Sequence, residues 1–136
     1  KVEKVLKRGV NIRILTMNPD ENNLFLKQRE VEEQETNGQI LNSIRQLVRW
    51  ANQLNSRNYA GKVHVKGYKC MTLDFYWRVD DEIYIGPYWY HYGSQQTITY
   101  KFKKGKKGFD IYSEYFEDLW EDVENTVRLT KENGNG

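Results

Sequence analysis

The sequence predicts an α/β (α+β-like) fold, a mixed β-sheet of about five strands flanked by helices. Three observations carry this. Helical and strand periodicities follow one another in the order α, β, α, α, β, β, β, β, α, with no internal repeat. Ile40, Leu41, Ile44, Leu47, Val48, Ala51 and Leu54 recur at helical spacing, the clearest amphipathic stripe in the chain. Lys62-Val-His-Val-Lys66 alternates strictly, as a half-buried strand does.

The elements follow in order. Val2, Val5 and Leu6 share a face of a short helix that Gly9 ends as a C-cap. Val10 to Leu15 alternates and then turns apolar, which predicts a central strand. Asn18-Pro-Asp20 closes it and can start a weakly apolar helix over Asn22 to Gln34, marked by Leu24, Phe25, Leu26 and Val31. Within that helix Arg29 to Glu33 reads as a solvated face, an inward Arg29 being the alternative. Thr36-Asn-Gly38 is a break before the strong stripe, which Trp50 flanks, and Asn52 to Gly61 is polar and turn-rich.

In the strand at Lys62 to Lys66, Val63 and Val65 face one way and His64 the other. His64 reads as a surface histidine, because no His, Cys or carboxylate lies at metal-ligand spacing beside it. Asp74 to Asp80 is the next strand, turned by Asp80-Asp81 and returned by Glu82 to Gly86. Tyr88 to Ser94 is an aromatic loop, and Gln95 to Lys103 a strand with Ile98, Tyr100 and Phe102 on one face. Lys101 to Lys107 holds five lysines and a glycine, which reads as a solvated tip. A final helix is expected from Asp110 to Leu129, burying Ile111, Tyr115, Phe116, Leu119, Trp120, Val123 and Val127. Residues 1–132 make one domain, and Asn133 to Gly136 are expected to be a disordered tail.

Composition narrows the function classes. A chain of 136 residues suits a single domain. Its net charge of +2 is too small for nucleic-acid binding to be read from charge, although binding through Lys101 to Lys107 stays open. The single cysteine, Cys70, cannot form an internal disulfide, which favours a reducing, cytoplasmic setting. No apolar run approaches the ~20 residues that span a bilayer, and no signal peptide is visible. The chain begins at Lys1, so it reads as excised from a longer protein.

Three stretches carry a family likeness. "VLKRGVNIRILTMNP" is a helix, Gly-Val and an apolar strand. "FYWRVDDEIYIGPYWY" is a strand that ends in Val-Asp, turns and returns to Ile-Gly. "YSEYFEDLWED" is a helix carrying Phe and Trp. Together they resemble a single repeat of the phospholipase D-like fold and cover most of the chain. Active members of that family use a His-x-Lys pair, the His as nucleophile and the Lys on the phosphate. With Asp80 as the motif Asp, Leu73 and Phe75 stand at those positions; with Asp81, Asp74 and Tyr76 do. The interval to Gly86 is also shorter than the family's. The resemblance therefore implies a degenerate domain without catalytic residues. It also implies a homodimer, because such repeats pack in pairs.

Asp74, Tyr76 and Arg78 share one face of their strand, and Phe75, Trp77 and Val79 the other, a plausible core wall. Arg78 is the best candidate to hold a phosphate or carboxylate; a cross-strand ion pair with Asp74, Asp80 or Glu82 is the alternative. Tyr88, Trp89, Tyr90, His91 and Tyr92 could form a stacking platform for a base or sugar. Beside them, Ser94, Gln95, Gln96, Thr97 and Thr99 could read polar edges. Asn18, at the end of the first strand, and Arg13 are further candidates. The expected function is a non-catalytic ligand-binding, sensor or regulatory domain of a larger cytoplasmic protein. Its ligand would be a phosphate-bearing small molecule such as a nucleotide, with no metal, cofactor or membrane involved. Alternatives are a diverged phosphodiesterase or nuclease using His91 or His64, and a dimerisation domain.

Overall fold

The computed structural model describes residues 1–92 and 96–131. The strong apolar stripe forms helix α3 (Gln39–Asn55), which buries Leu41, Ile44, Ala51 and Leu54. Helix α1 (Val2–Lys7) adds Leu6 to the same core. Both lie against strand β1 (Ile12–Met17) and strand β2 (Val63–Tyr68), whose Ile12, Ile14, Val63 and Val65 face them. β1 and β2 are parallel, Ile12 opposite Val63 and Met17 opposite Tyr68. A parallel pair needs a long crossover. Helix α2 (Leu24–Glu32) and α3 supply it. Asn23 fastens the start of α2: its side chain accepts from Phe25 N and donates to Asn18 O.

A second sheet is an antiparallel meander of strands β3 (Asp74–Val79), β4 (Glu82–Pro87) and β5 (Tyr100–Lys103). Val79 pairs with Glu82, leaving Asp80-Asp81 as a two-residue turn in which Asp80 takes φ +51°. Helix α4 (Lys107–Glu121) packs on one face of this sheet around Ile83, Ile85 and Phe109, with Tyr76, Phe102 and Tyr112 at the margin. Strand β6 (Thr126–Arg128) then returns to the first sheet, antiparallel to β2, giving the order β1-β2-β6. No helix among the described residues is long and apolar enough to cross a membrane.

The mixed α/β architecture is as expected, but the single sheet of about five strands is replaced by two three-stranded sheets. The reason lies at β2: β6 occupies the edge that β3 would need to extend the sheet. The last helix stops at Glu121 rather than Leu129, because Asp122 accepts from the backbone N–H groups of Glu124 and Asn125 and turns the chain. Val123 is consequently 87% exposed, and Val127 sits in β6, not in a helical stripe. The expected strand from Gln95 shrinks to Tyr100–Lys103, with Gln96 in a short 3₁₀ turn. The Arg29–Glu33 face is not solvated throughout: Arg29 and Glu30 are both buried. Ser94, Gln95 and the expected tail lie outside the described residues.

Candidate anion-binding face

Asp74, Tyr76 and Arg78 do share a face, yet it is the face that α4 covers. Tyr76 stacks on Phe116 at 5.0 Å, and Phe116 on Trp120 at 5.9 Å. The Arg78 guanidinium lies 5.0 Å above the Phe109 ring, with Nε donating to Asp80 O and a long contact to Ser113 Oγ. The expected core wall is the open side: Trp77 is 64% exposed and Val79 is exposed too. An aromatic helix face accepts a tyrosine ring and a flat guanidinium as readily as an aliphatic wall. The more polar side of β3 therefore faces α4, with Tyr76 part-buried against it and Arg78 still exposed. Arg78 has no ion pair with Asp74, Asp80 or Glu82.

Along α4 this face runs onto the first sheet. Arg13 donates two hydrogen bonds to Glu117, at 2.9 and 2.5 Å, and lies over both Phe116 and Trp120. The Glu117 carboxyl is held below its usual range, first by the bond from Arg13, with Arg78 adding to the effect. Arg13 is level with His64, and Lys66 is level with Arg128, so four basic side chains from three adjacent strands project from one face. Lys66 lies 4.6 Å over the Trp120 ring and donates to Trp120 O. Arg128 donates to Thr130 O and Lys131 O and approaches His64 Nδ1 at 3.5 Å. Among the described residues neither Lys66 nor Arg128 has a carboxylate partner. Burial, then Arg128, Arg13 and Lys66, push the His64 pKa down.

The remaining candidates fall elsewhere. Tyr88 packs beneath Arg29, whose guanidinium is 4.1 Å from the ring centroid and donates to Thr72 O at 2.7 Å. Burial pushes the Tyr88 phenol strongly upward. Tyr68 hydrogen-bonds Thr72 in the same knot, and Asp74 is near enough to influence both Tyr88 and Tyr115. Tyr90 stacks on His91 at 3.7 Å, and Trp89 meets Tyr92 edge-on at 6.2 Å. The loop's rings thus pack on one another or on Arg29 instead of lining one platform. Asn18 serves the backbone, its N–H donating to Tyr68 O. Gln96 and Thr97 lie in the turn before β5.

Asp74, Tyr76 and Arg78 therefore stand together, Tyr88 lies apart from them against Arg29, and Arg13, His64, Lys66 and Arg128 form the charged cluster. Of that cluster, sequence reasoning weighed Arg13 and set His64 aside. Lys66 was legible on the polar side of its strand, whereas Arg128 was hidden in the over-long helix. No group of three or more His, Cys, Asp or Glu able to hold a metal occurs among the described residues. Surface depressions occur away from this face, one of ≈ 330 Å³ beside Glu3, Trp50 and Arg57. No family model matches the chain, and no curated protein or solved structure matches it either.

Proposed function

We propose that this domain is a non-catalytic binding module, a sensor or regulatory part of a larger cytoplasmic protein, that holds a phosphate-bearing small molecule on the face beside α4. The observation that supports it is the pairing of Lys66 with Arg128 across β2 and β6, next to His64 and Arg13. Like charges directly opposite on a sheet are destabilising. A phosphate seated over them would remove that repulsion and accept charge-assisted hydrogen bonds. Arg78, at the far end of the same face, suits a second phosphate or a carboxylate. A non-catalytic role agrees with the residues at the family's catalytic positions, which offer neither imidazole nor ammonium. Neither histidine has a carboxylate to orient it among the described residues.

Isothermal titration with nucleotides and with pyrophosphate tests this. Micromolar binding is expected, weakened at least about tenfold in Lys66→Ala/Arg128→Ala, the loss of two charge-assisted bonds. A nucleotide series that gives no heat and leaves the melting temperature unchanged would overturn it. The homodimer implied by the family resemblance belongs to the same proposal, and light scattering at micromolar concentration decides it.

A further inference from the structure

We propose that the open face of the second sheet is a stacking platform for single-stranded nucleic acid. Registry places Trp77, Tyr84 and Lys101 side by side across β3, β4 and β5, and Val79, Glu82 and Lys103 in the next row toward the turn. α4 covers only the opposite face, so the Trp77 indole meets solvent over most of its surface. A tryptophan left open on the edge strand, at the end of a row whose middle position is Tyr84, presents a flat π surface that any base can stack on. One row further from the turn the Phe75 ring packs on Gly86, where an added Cβ would come within 2.0 Å of the ring.

Charge identifies the occupant. Five lysines lie between Lys101 and Lys107, against Asp80, Asp81 and Glu82 at the neighbouring turn. Lys101 pairs with Glu82 and Lys104 with Asp81, both at exposed positions. Such pairs are weak and yield to phosphates. Lys103, Lys106 and Lys107 have no carboxylate partner among the described residues. Lys106 and Lys107 stand at the start of α4, where the helix dipole is already positive and only Asp110 offsets it. Cations there work against the helix and raise the local potential, a placement that suits a phosphate backbone passing the edge of an aromatic row. Neither Trp77 nor these lysines belong to the Lys66–Arg128 face, so this inference does not rest on the proposed function.

The test is fluorescence anisotropy with a labelled twelve-nucleotide oligothymidylate and its oligouridylate counterpart. Trp77→Thr keeps a strand-forming residue. It should weaken binding by about tenfold or more while the melting temperature stays unchanged. Trp77→Phe should retain most of the affinity and guards against a folding defect. Affinity should fall with salt at a log–log slope of about −2, ~0.7 for each of three phosphates. A matched DNA duplex, its bases closed to stacking, should bind more weakly. Three results would each overturn the platform. One is equal affinity of Trp77→Thr and the natural chain. Another is an affinity that follows Lys66→Ala/Arg128→Ala instead, which would place the strand on the other face. The third is a Trp77-dependent dimer in light scattering without oligonucleotide, which would give the face to a second copy.

Discussion

The two sheets have the same number of strands and different amounts of cover. The first is enclosed: α1 and α3 fill one side around Leu6, Ala51, Val63 and Val65, while α4 lays Trp120 over the other. The second is enclosed on one side only, by α4 against Ile83, Ile85 and Phe109. Burial on both sides makes a scaffold, and burial on one side leaves a surface. The functional readings follow this division. The charged cluster stands where α4 crosses the first sheet, and the aromatic row stands on the side of the second that no helix among the described residues crosses.

Equal truncations in the two halves should therefore have unequal consequences. Leu6→Ala removes a side chain with no exposed surface from the larger core and should cost about 3–4 kcal/mol in urea unfolding. Ile83→Ala, equally buried but in a cluster of three buried residues, should cost about 2–3 kcal/mol. Hydrogen exchange sharpens the contrast. In Ile83→Ala the amides of β4 should lose protection while those of β2 keep it. Equal loss in both sheets would show that the halves unfold as one unit.

The joint between the halves is Arg29, 6% exposed, which reaches from α2 to Thr72 O and Tyr88. Arg29→Met keeps the length, loses the cation and leaves a buried carbonyl without its donor. The expected cost is about 2–3 kcal/mol. A double-mutant cycle with Tyr88→Leu should show coupling of about 1 kcal/mol if the stacking contributes. Additive losses would reduce the joint to its hydrogen bond.

Which parts of this were legible depends on how far each signal reaches along the chain. Leu41 to Leu54 and Val63 to Val65 carry their burial in their own spacing, so α3 and β2 were readable. The turn at Asp80-Asp81 was readable because two adjacent aspartates between apolar alternations favour it locally. Two features were not. Which face of β3 meets α4 depends on Phe109 and Phe116, which come from a helix 30 or more residues later. By hydrophobicity alone Phe75, Trp77 and Val79 looked like the core. The partnership of Lys66 with Arg128 required β6, and the apolar periodicity of Val123 and Val127 imitated a longer helix. Only the Asp122 turn cut that helix short. Arg29 stood beside three carboxylates and a valine, a composition that describes a solvated helix face until Thr72 and Tyr88 close over it.

On the open face, substitution should hardly register in stability. Trp77→Thr is expected to shift unfolding by no more than about 0.5 kcal/mol, within the range of ordinary surface changes. This is an order of magnitude below Leu6→Ala, although tryptophan is the larger side chain. A loss above about 2 kcal/mol would show that the second sheet relies on both of its faces, and the division between scaffold and surface would fail.

The smallest effect is the one that reports on the charged cluster directly. His64 faces Arg13 from β1, Lys66 on its own strand and Arg128 from β6, with Glu117 of α4 beyond Arg13. Its pKa in the folded chain is lowered, by burial first and by these cations next. Just below the ordinary histidine value of ~6.5, the unfolded chain therefore binds more protons than the folded one. Stability should rise with pH through that window, be complete above it, and fall as pH drops toward the folded value. His64→Gln should flatten this slope, and Lys66→Met or Arg128→Met should move the His64 titration upward in proton NMR. Pyrophosphate should do the same without any mutation, because an anion over the cluster favours the imidazolium. By linkage it should then bind more tightly as pH falls through the histidine range. An ordinary His64 titration that pyrophosphate leaves in place would mean that the cations are already neutralised by solvent, and the Lys66–Arg128 pairing would lose its force as evidence for a ligand.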